Sequence, residues 1–270
     1  MTVIALHFGA SGRELFGLYH AAGEGAGRAP AVLLCNAFGH EEIRAHRIFR
    51  VLAERLAIGG SPVLRFDYGA SGDSAGDESE ARLEHWQADI LAAHQELRDM
   101  SGANRVVWIG LRLGAALATR AAAAQPAGLA GLVLWDPVID GHAYLAELAE
   151  AHAAHLYDDP KLLAGSAPRG PGAPLGEALG IAIAAVLEAD MRALDLTALD
   201  HKPARKVLVF GKPLEGAAAK LDAQLRTLGC TLDWNIEDDA SGWNSEAAMN
   251  AFTVPVATLN AITAAIGGWR

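Results

Sequence analysis

Only two cysteines occur in 270 residues, Cys35 and Cys230, far apart in the chain and each at an apolar segment. That usage excludes a disulfide framework and reads as two buried thiols in a reducing compartment. No apolar run reaches the roughly 18 to 20 residues of a membrane span. The N-terminus, Met1 to Phe8, has neither a basic stretch nor a sustained apolar run ahead of a cleavage site, so no secretory signal is visible and a cytoplasmic location is expected. Positive charge is scarce as well. Lysine and arginine number 22 against 32 aspartates and glutamates, and a net charge of −10 argues against a nucleic-acid partner, whose phosphates must be neutralised by basic side chains. Gly69, Gly72 and Gly76 do not have the G-x-G-x-x-G spacing, so they mark a tight loop and no dinucleotide cofactor is expected. His152 and His155, with Asp158 and Asp159, lack a defined third ligand and read as a solvated helix face, so no metal is expected either.

What is present is a globular chain, 51% hydrophobic and 20% charged, long enough for one large core plus an insertion. Val3 to Gly9 and Arg13 to His20 predict a β-hairpin around Ala10-Ser11-Gly12. Ala31 to Cys35, Val63 to Asp67, Asn104 to Ile109 and Gly128 to Trp135 are strands covered on both faces, alternating with helices over Ala45 to Ile58, Leu83 to Met100 and Gly114 to Ala124. Asn36 to Glu42 reads as a polar loop. Lys206 to Phe210 and Thr231 to Ile236 continue the strands, and helices over Ala217 to Leu228 and Thr253 to Ile266 accompany them. The pattern predicts an α/β fold with a mostly parallel sheet and ligand binding at the carboxyl ends of the strands. Residues 1–139 and 204–270 are expected to form the core. Residues 140–203 are expected to form a helical cap around the Gly/Pro-rich link from Gly165 to Gly176.

The chain turns on Val106 to Thr119, a buried strand that meets an alanine-rich helix through Gly110-Leu111-Arg112-Leu113-Gly114. A strand feeding a helix through G-x-S-x-G is the nucleophile elbow of α/β-hydrolases, and here arginine stands where serine would. Further matching pieces are Gly39-His40-Glu41-Glu42, Phe66-Asp67-Tyr68 with Gly72-Asp73-Ser74, Leu134-Trp135-Asp136-Pro137-Val138 and Gly242-Trp243-Asn244. On these the chain resembles α/β-hydrolases over its whole length. Within them it resembles the exosortase A system-associated hydrolase 2 group, known from bacterial exopolysaccharide loci, through the string Gly110-Leu111-Arg112-Leu113-Gly114-Ala115.

The resemblance implies a triad in the order nucleophile, acid, histidine. Arg112 has no hydroxyl or thiol to activate, and all ten histidines lie at or before His201, ahead of the last strand. The acid position falls near Glu215, for which an exposed helix-start glutamate is the preferred reading. No ordinary catalytic set is therefore expected. Cys35 with His40 is conceivable as a substitute pair, but a packing thiol is preferred, and Ser71, Ser74, Ser241 and Ser245 suit turns and caps. A cation at a helix N-terminus needs an anion close by, either a carboxylate such as Asp136 or Glu215 or a bound ligand. Around Arg112 the expected ligand site takes in Leu113, Ala37 and Phe38, where oxyanion-hole N–H groups would lie. It also takes in His40, Asp136 and Trp243. The leading expectation is a non-hydrolytic protein that binds a small anionic or acyl-type ligand at this elbow. The alternative is a hydrolase or acyltransferase with non-standard catalytic residues, linked by the resemblance to exopolysaccharide biosynthesis. A protein partner or a second copy of the chain at the cap surface is the remaining class.

Overall fold

The computed structural model describes residues 2–23, 29–124, 129–158, 174–236, 243 and 254–269. Its strands are β1 (Val3–Phe8), β2 (Leu15–His20), β3 (Ala31–Cys35), β4 (Val63–Phe66), β5 (Val106–Leu111), β6 (Gly131–Trp135), β7 (Glu177–Ala178), β8 (Ile181–Ala182), β9 (Lys206–Gly211) and β10 (Thr231–Ile236). Helices are α1 (His40–Ile58), α2 (Leu83–Ser101), α3 (Leu113–Ala124), α4 (Gly141–Asp158), α5 (Ala185–Arg192), α6 (Gly216–Thr227) and α7 (Val256–Gly268). Eight strands make one sheet in the order β1-β2-β4-β3-β5-β6-β9-β10. β2 runs antiparallel to both its neighbours, and every pairing from β4 to β10 is parallel. The expected α/β architecture is present, with helices on both faces and an insertion between β6 and β9.

The central strands are apolar at every position because both faces are covered. Leu33, Trp108, Leu132, Leu134 and Val209 point into the core shared with α2, α3 and α6. Their alternates Val32, Leu34, Ile109, Val133 and Leu208 point to α1 and α7. Two cores thus sandwich one sheet. The Trp108 ring is fully buried, and its indole N–H donates to Nδ1 of His94 on α2 at 3.0 Å, which removes the penalty of an unpaired buried donor. α3 is buried along almost its whole length, and its alanines let it lie close on β5.

Two expectations need correction. The stretch from Asn36 to Glu42 is not all loop: α1 begins at His40, one residue after Gly39 turns the chain at φ +63°. Glu41 and Glu42 occupy the first turn of α1, where exposed N–H groups favour carboxylates. The insertion is not purely helical either. Leu179 and Gly180, both at positive φ, close a small antiparallel hairpin of β7 and β8. Of the expected Gly165 to Gly176 link, residues up to 173 lie outside the described residues. The insertion is tied down by an ion pair at 2.7 Å between Asp190 of α5 and Arg82 at the start of α2. Ile181 of the hairpin also packs over Gly39.

Candidate functional site

Strand register assembles the site. Cys35 pairs with Gly110, Gly110 with Leu134, and Leu111 with Trp135, so the chain leaves β3, β5 and β6 at one sheet edge. There Arg112 takes a left-handed conformation, φ +52°, between β5 and α3. Its N–H donates to the carbonyl of Trp135 at 3.0 Å, and its own carbonyl accepts from Ala115 at 3.1 Å and Val138 at 3.2 Å. A non-glycine residue held at positive φ costs free energy and persists because its surroundings over-determine it. The flanking glycines are required by space. A Cβ on Gly110 would overlap Ala115, and one on Gly114 would overlap the carbonyls of Cys35 and Asn36.

Arg112 is buried, and what neutralises it is protein. Nε donates to Oε1 of Glu41 at 2.9 Å, Nη1 to Oδ2 of Asp136 at 3.3 Å, and Nη2 to both carboxylate oxygens of Glu147 at 2.7 and 2.8 Å. The Tyr144 hydroxyl donates to the other Glu41 oxygen at 3.0 Å, and its ring lies 5.4 Å from the guanidinium carbon. Burial opposes the guanidinium's charge, but the three carboxylates outweigh it and hold the group protonated. One cation cannot fully neutralise three acids. Asp136 shows the shortfall: burial pushes its carboxyl up to about 6 despite Arg112 and Lys212. Asp136 is itself at positive φ, +41°.

Of the partners proposed from sequence, Asp136 is in contact, whereas Glu215 sits exposed at the N-cap of α6 and lines a neighbouring cavity. Glu41, Tyr144 and Glu147 complete the set and are not among the partners expected from sequence. Their signal was available: Glu41 lies in the Gly39-His40-Glu41-Glu42 string, and Tyr144 and Glu147 are three apart on one helix face. Leu113 opens α3, so its N–H has no intrahelical acceptor. Ala37 is buried and Phe38 stacks obliquely near Trp86, ring centroids 5.8 Å apart. His40 opens α1. Burial, then His155 and Arg44, disfavour its protonation, and its Nδ1 is buried without a hydrogen-bond partner. Trp243 stands apart from this group, edge-on to Trp135 and beneath Arg44 on the α1 and α7 face.

The remaining polar candidates resolve individually. Cys35 is fully buried, and burial pushes its thiol far above the range in which a thiolate forms. Ser74 accepts from the Phe16 N–H at 2.8 Å and donates to the Asp67 carbonyl at 2.7 Å, a loop-bracing role. Ser241 and Ser245 lie outside the described residues. His152 is a correction: it is buried, and its Nδ1 accepts from the Leu179 N–H at 3.1 Å, joining α4 to the hairpin. Only His155 of that pair is on an exposed surface, and Asp159 lies outside the described residues.

Two cavities flank the elbow. One, of about 390 Å³, adjoins Arg112, Asp136, Tyr144 and Glu147 and is lined also by Lys212 and Trp234. The larger, of about 530 Å³, opens at the carboxyl ends of β3 and β4 between the Asn36 to Gly39 turn and the hairpin. Phe38, Phe66, Trp86, Ile181 and Leu187 form its apolar walls, and Glu42, Asp67 and Ser71 its polar floor. Asn36 Nδ2 donates to one Glu42 oxygen at 3.2 Å and Ser71 Oγ to the other at 3.3 Å. Burial and the neighbouring Asp67 nevertheless push Glu42 up to about 7. Burial raises Asp67 too, against an N–H bond from Asp73 at 3.0 Å. Gly72, at φ +55°, leaves room for that carboxylate, which a Cβ there would overlap.

A family model described as serine aminopeptidase, S33 matches residues 30–170, just over half of the chain. The chain belongs to that family, within the α/β-hydrolase superfamily. Solved structures with the same fold span almost all of it. Est1E from Butyrivibrio proteoclasticus with ferulic acid bound is 18% identical over 98% of this chain and 97% of that one, TM-score 0.62. A highly thermostable carboxyl esterase from Bacillus coagulans in complex with glycerol is 14% identical over 99% of each chain, TM-score 0.66. Alpha/beta hydrolase domain-containing protein 10 from mouse is 14% identical over 99% of this chain and 100% of that one, TM-score 0.60. At such identities the likeness is one of fold. No curated protein sequence matches the chain. In this α/β-hydrolase the turn from β5 into α3 holds a caged cation, Arg112. Among the described residues no group of three or more histidines, cysteines, aspartates or glutamates is arranged to hold a metal, and no helix is long and apolar enough to cross a membrane.

Proposed function

We propose that this α/β-hydrolase is a hydrolase or acyltransferase that acts without a serine nucleophile, on an uncharged acyl-type substrate in the 530 Å³ cavity beside the elbow. The observation that carries this reading is the cavity's position and lining. It lies at the carboxyl ends of parallel strands, where open α/β sheets bind ligands, and joins apolar walls to a floor of ionisable carboxyls. Of the anionic and acyl-type ligands expected at Arg112, the acyl type is the better supported. Each of the three guanidinium nitrogens already donates to one of Glu41, Asp136 and Glu147, and the cavity floor carries Glu42 and Asp67. Ferulic acid bound to Est1E and the esterase among the fold relatives make acyl esters the first compounds to try. The narrower resemblance to the exosortase-associated group would place such a substrate in exopolysaccharide assembly.

One observation favours the second reading, a ligand-binding protein without turnover: a cation fills the nucleophile's place. The two separate in one experiment. Neutral p-nitrophenyl esters and acyl thioesters are incubated with the full chain, before and after treatment with a serine-directed fluorophosphonate. Turnover that survives the reagent supports the enzyme. Thermal stabilisation by the product acids or alcohols with no turnover supports the binding protein. Turnover abolished by the reagent would refute a mechanism without serine.

A further inference from the structure

Resting on the reading of the larger cavity as the reaction site, we propose that Glu42 is its proton-transfer residue, that Asn36 and Ser71 hold its two oxygens, and that Asp67 tunes it. The side chain is placed for this by the first turn of α1, which carries it from the Gly39 turn into the cavity wall. Each oxygen is fixed by a different element, Asn36 from the end of β3 and Ser71 from the loop after β4. A carboxylate held this way keeps lone pairs free for a third partner in the cavity. The apolar walls lower the local dielectric, which strengthens the electrostatic interactions beside them.

The charges around Glu42 decide its behaviour. Asp67 faces it from the end of β4, with Asp73 and Glu78 beyond, while Arg65 of β4 and His46 of α1 line the same space. The hairpin contributes only Ile181 and Ala182. Two hydrogen bonds and the α1 N-terminus favour the carboxylate, yet burial and Asp67 prevail and leave the group poised about 7. A residue poised there is suited to take and return a proton at neutral pH.

The step is complete in atoms and electrons. Glu42 carboxylate takes a proton from water as the water oxygen bonds to the acyl carbon and the carbonyl π pair moves to oxygen. When that pair returns, the bond to the leaving oxygen breaks, and the leaving alkoxide takes the proton back from Glu42. An ester and water become an acid and an alcohol, and Glu42 is regenerated.

Two measurements on the full chain test this. In a ¹³C titration of labelled glutamate carboxyls, one resonance should titrate about pH 7, vanish in Glu42→Gln, and move to lower pH in Asp67→Asn, where the repelling charge is gone. With p-nitrophenyl butyrate, kcat in Glu42→Gln should fall by roughly 10² to 10⁴. The limb rising with pH should shift downward in Asp67→Asn. A Glu42 resonance that titrates in the ordinary carboxylate range overturns the assignment. So does turnover in Glu42→Gln with an unchanged pH profile, although the enzyme reading then survives. A wild type that turns over no ester or thioester overturns both.

Discussion

Replacing Arg112 with methionine tests the central claim of the site, that one guanidinium holds three acids in place. Methionine keeps an unbranched, uncharged stem in place of the guanidinium and, like arginine, carries a Cβ at φ +52°, so backbone strain cancels in the comparison. What is lost is the counter-charge for Glu41 and Asp136, whose side chains are 0% and 4% exposed. Breaking a buried ion pair by removing one partner costs about 3 to 5 kcal/mol. Glu147, 38% exposed, is screened and adds little to that figure. For a chain of this length each kcal/mol lowers Tm by roughly 2 °C, so a drop of about 6 to 10 °C is expected at pH 8. The sign with pH follows from linkage. Without the arginine, burial and mutual repulsion raise the carboxyls' folded pKa values above their unfolded ones. The penalty is therefore full at high pH and shrinks as pH falls towards the ordinary carboxylate range and the native state takes up protons. Urea unfolding of both proteins at pH 8 and pH 5 measures it. A difference under about 1 kcal/mol at pH 8, or one equally large at pH 5, would refute the cage.

Further outcomes follow from the same contacts. Arg112→Lys retains the charge but not the planar fork that reaches three acids, so its stability should fall between wild type and Arg112→Met in the same urea series. Burial, then Arg98, pushes His94 down to about 4 from an ordinary 6.5. The stability it confers as a neutral acceptor should be full above about 6.5 and lost as pH falls towards 4, and His94→Leu, which strands the Trp108 N–H, should cost roughly 1 to 3 kcal/mol at pH 8 by urea unfolding. Gly114→Ala drives a methyl into the Asn36 carbonyl and should yield little folded protein, as judged by the soluble fraction and near-ultraviolet circular dichroism. His152→Leu removes the acceptor for Leu179 and should speed amide exchange at the hairpin while leaving the exchange of β5 unchanged.

The order of strands and helices is legible in the chain because buried parallel strands must be apolar throughout. The runs at Ala31, Val106 and Gly131 could be little else. The start of α1 is not legible by that rule, since His40, Glu41 and Glu42 are polar and their helical state depends on the turn at Gly39 and on tertiary partners. The β7 and β8 hairpin is shorter than any periodicity can register, and Leu179 at positive φ defies local preference. At the site, the G-x-R-x-G frame announces an elbow, and the need of a buried cation for an anion points to Asp136. Glu147 escapes because it lies in the insertion and reaches back to a residue of the core. Glu42 escapes because nothing local in sequence marks a glutamate whose neighbours come from β3 and the loop after β4. Pairings of that kind become visible only once the sheet brings its loops to one edge.

The caged arginine also constrains the mutational paths open to this chain. Changing Arg112 to serine would create a G-x-S-x-G motif in one step, yet it would leave Glu41, Asp136 and Glu147 facing one another with no cation between them. Neutralising the acids first leaves a buried guanidinium without partners, which is no better. Because the four side chains act as one unit, their substitutions are not additive, and either order of events crosses a valley of several kcal/mol.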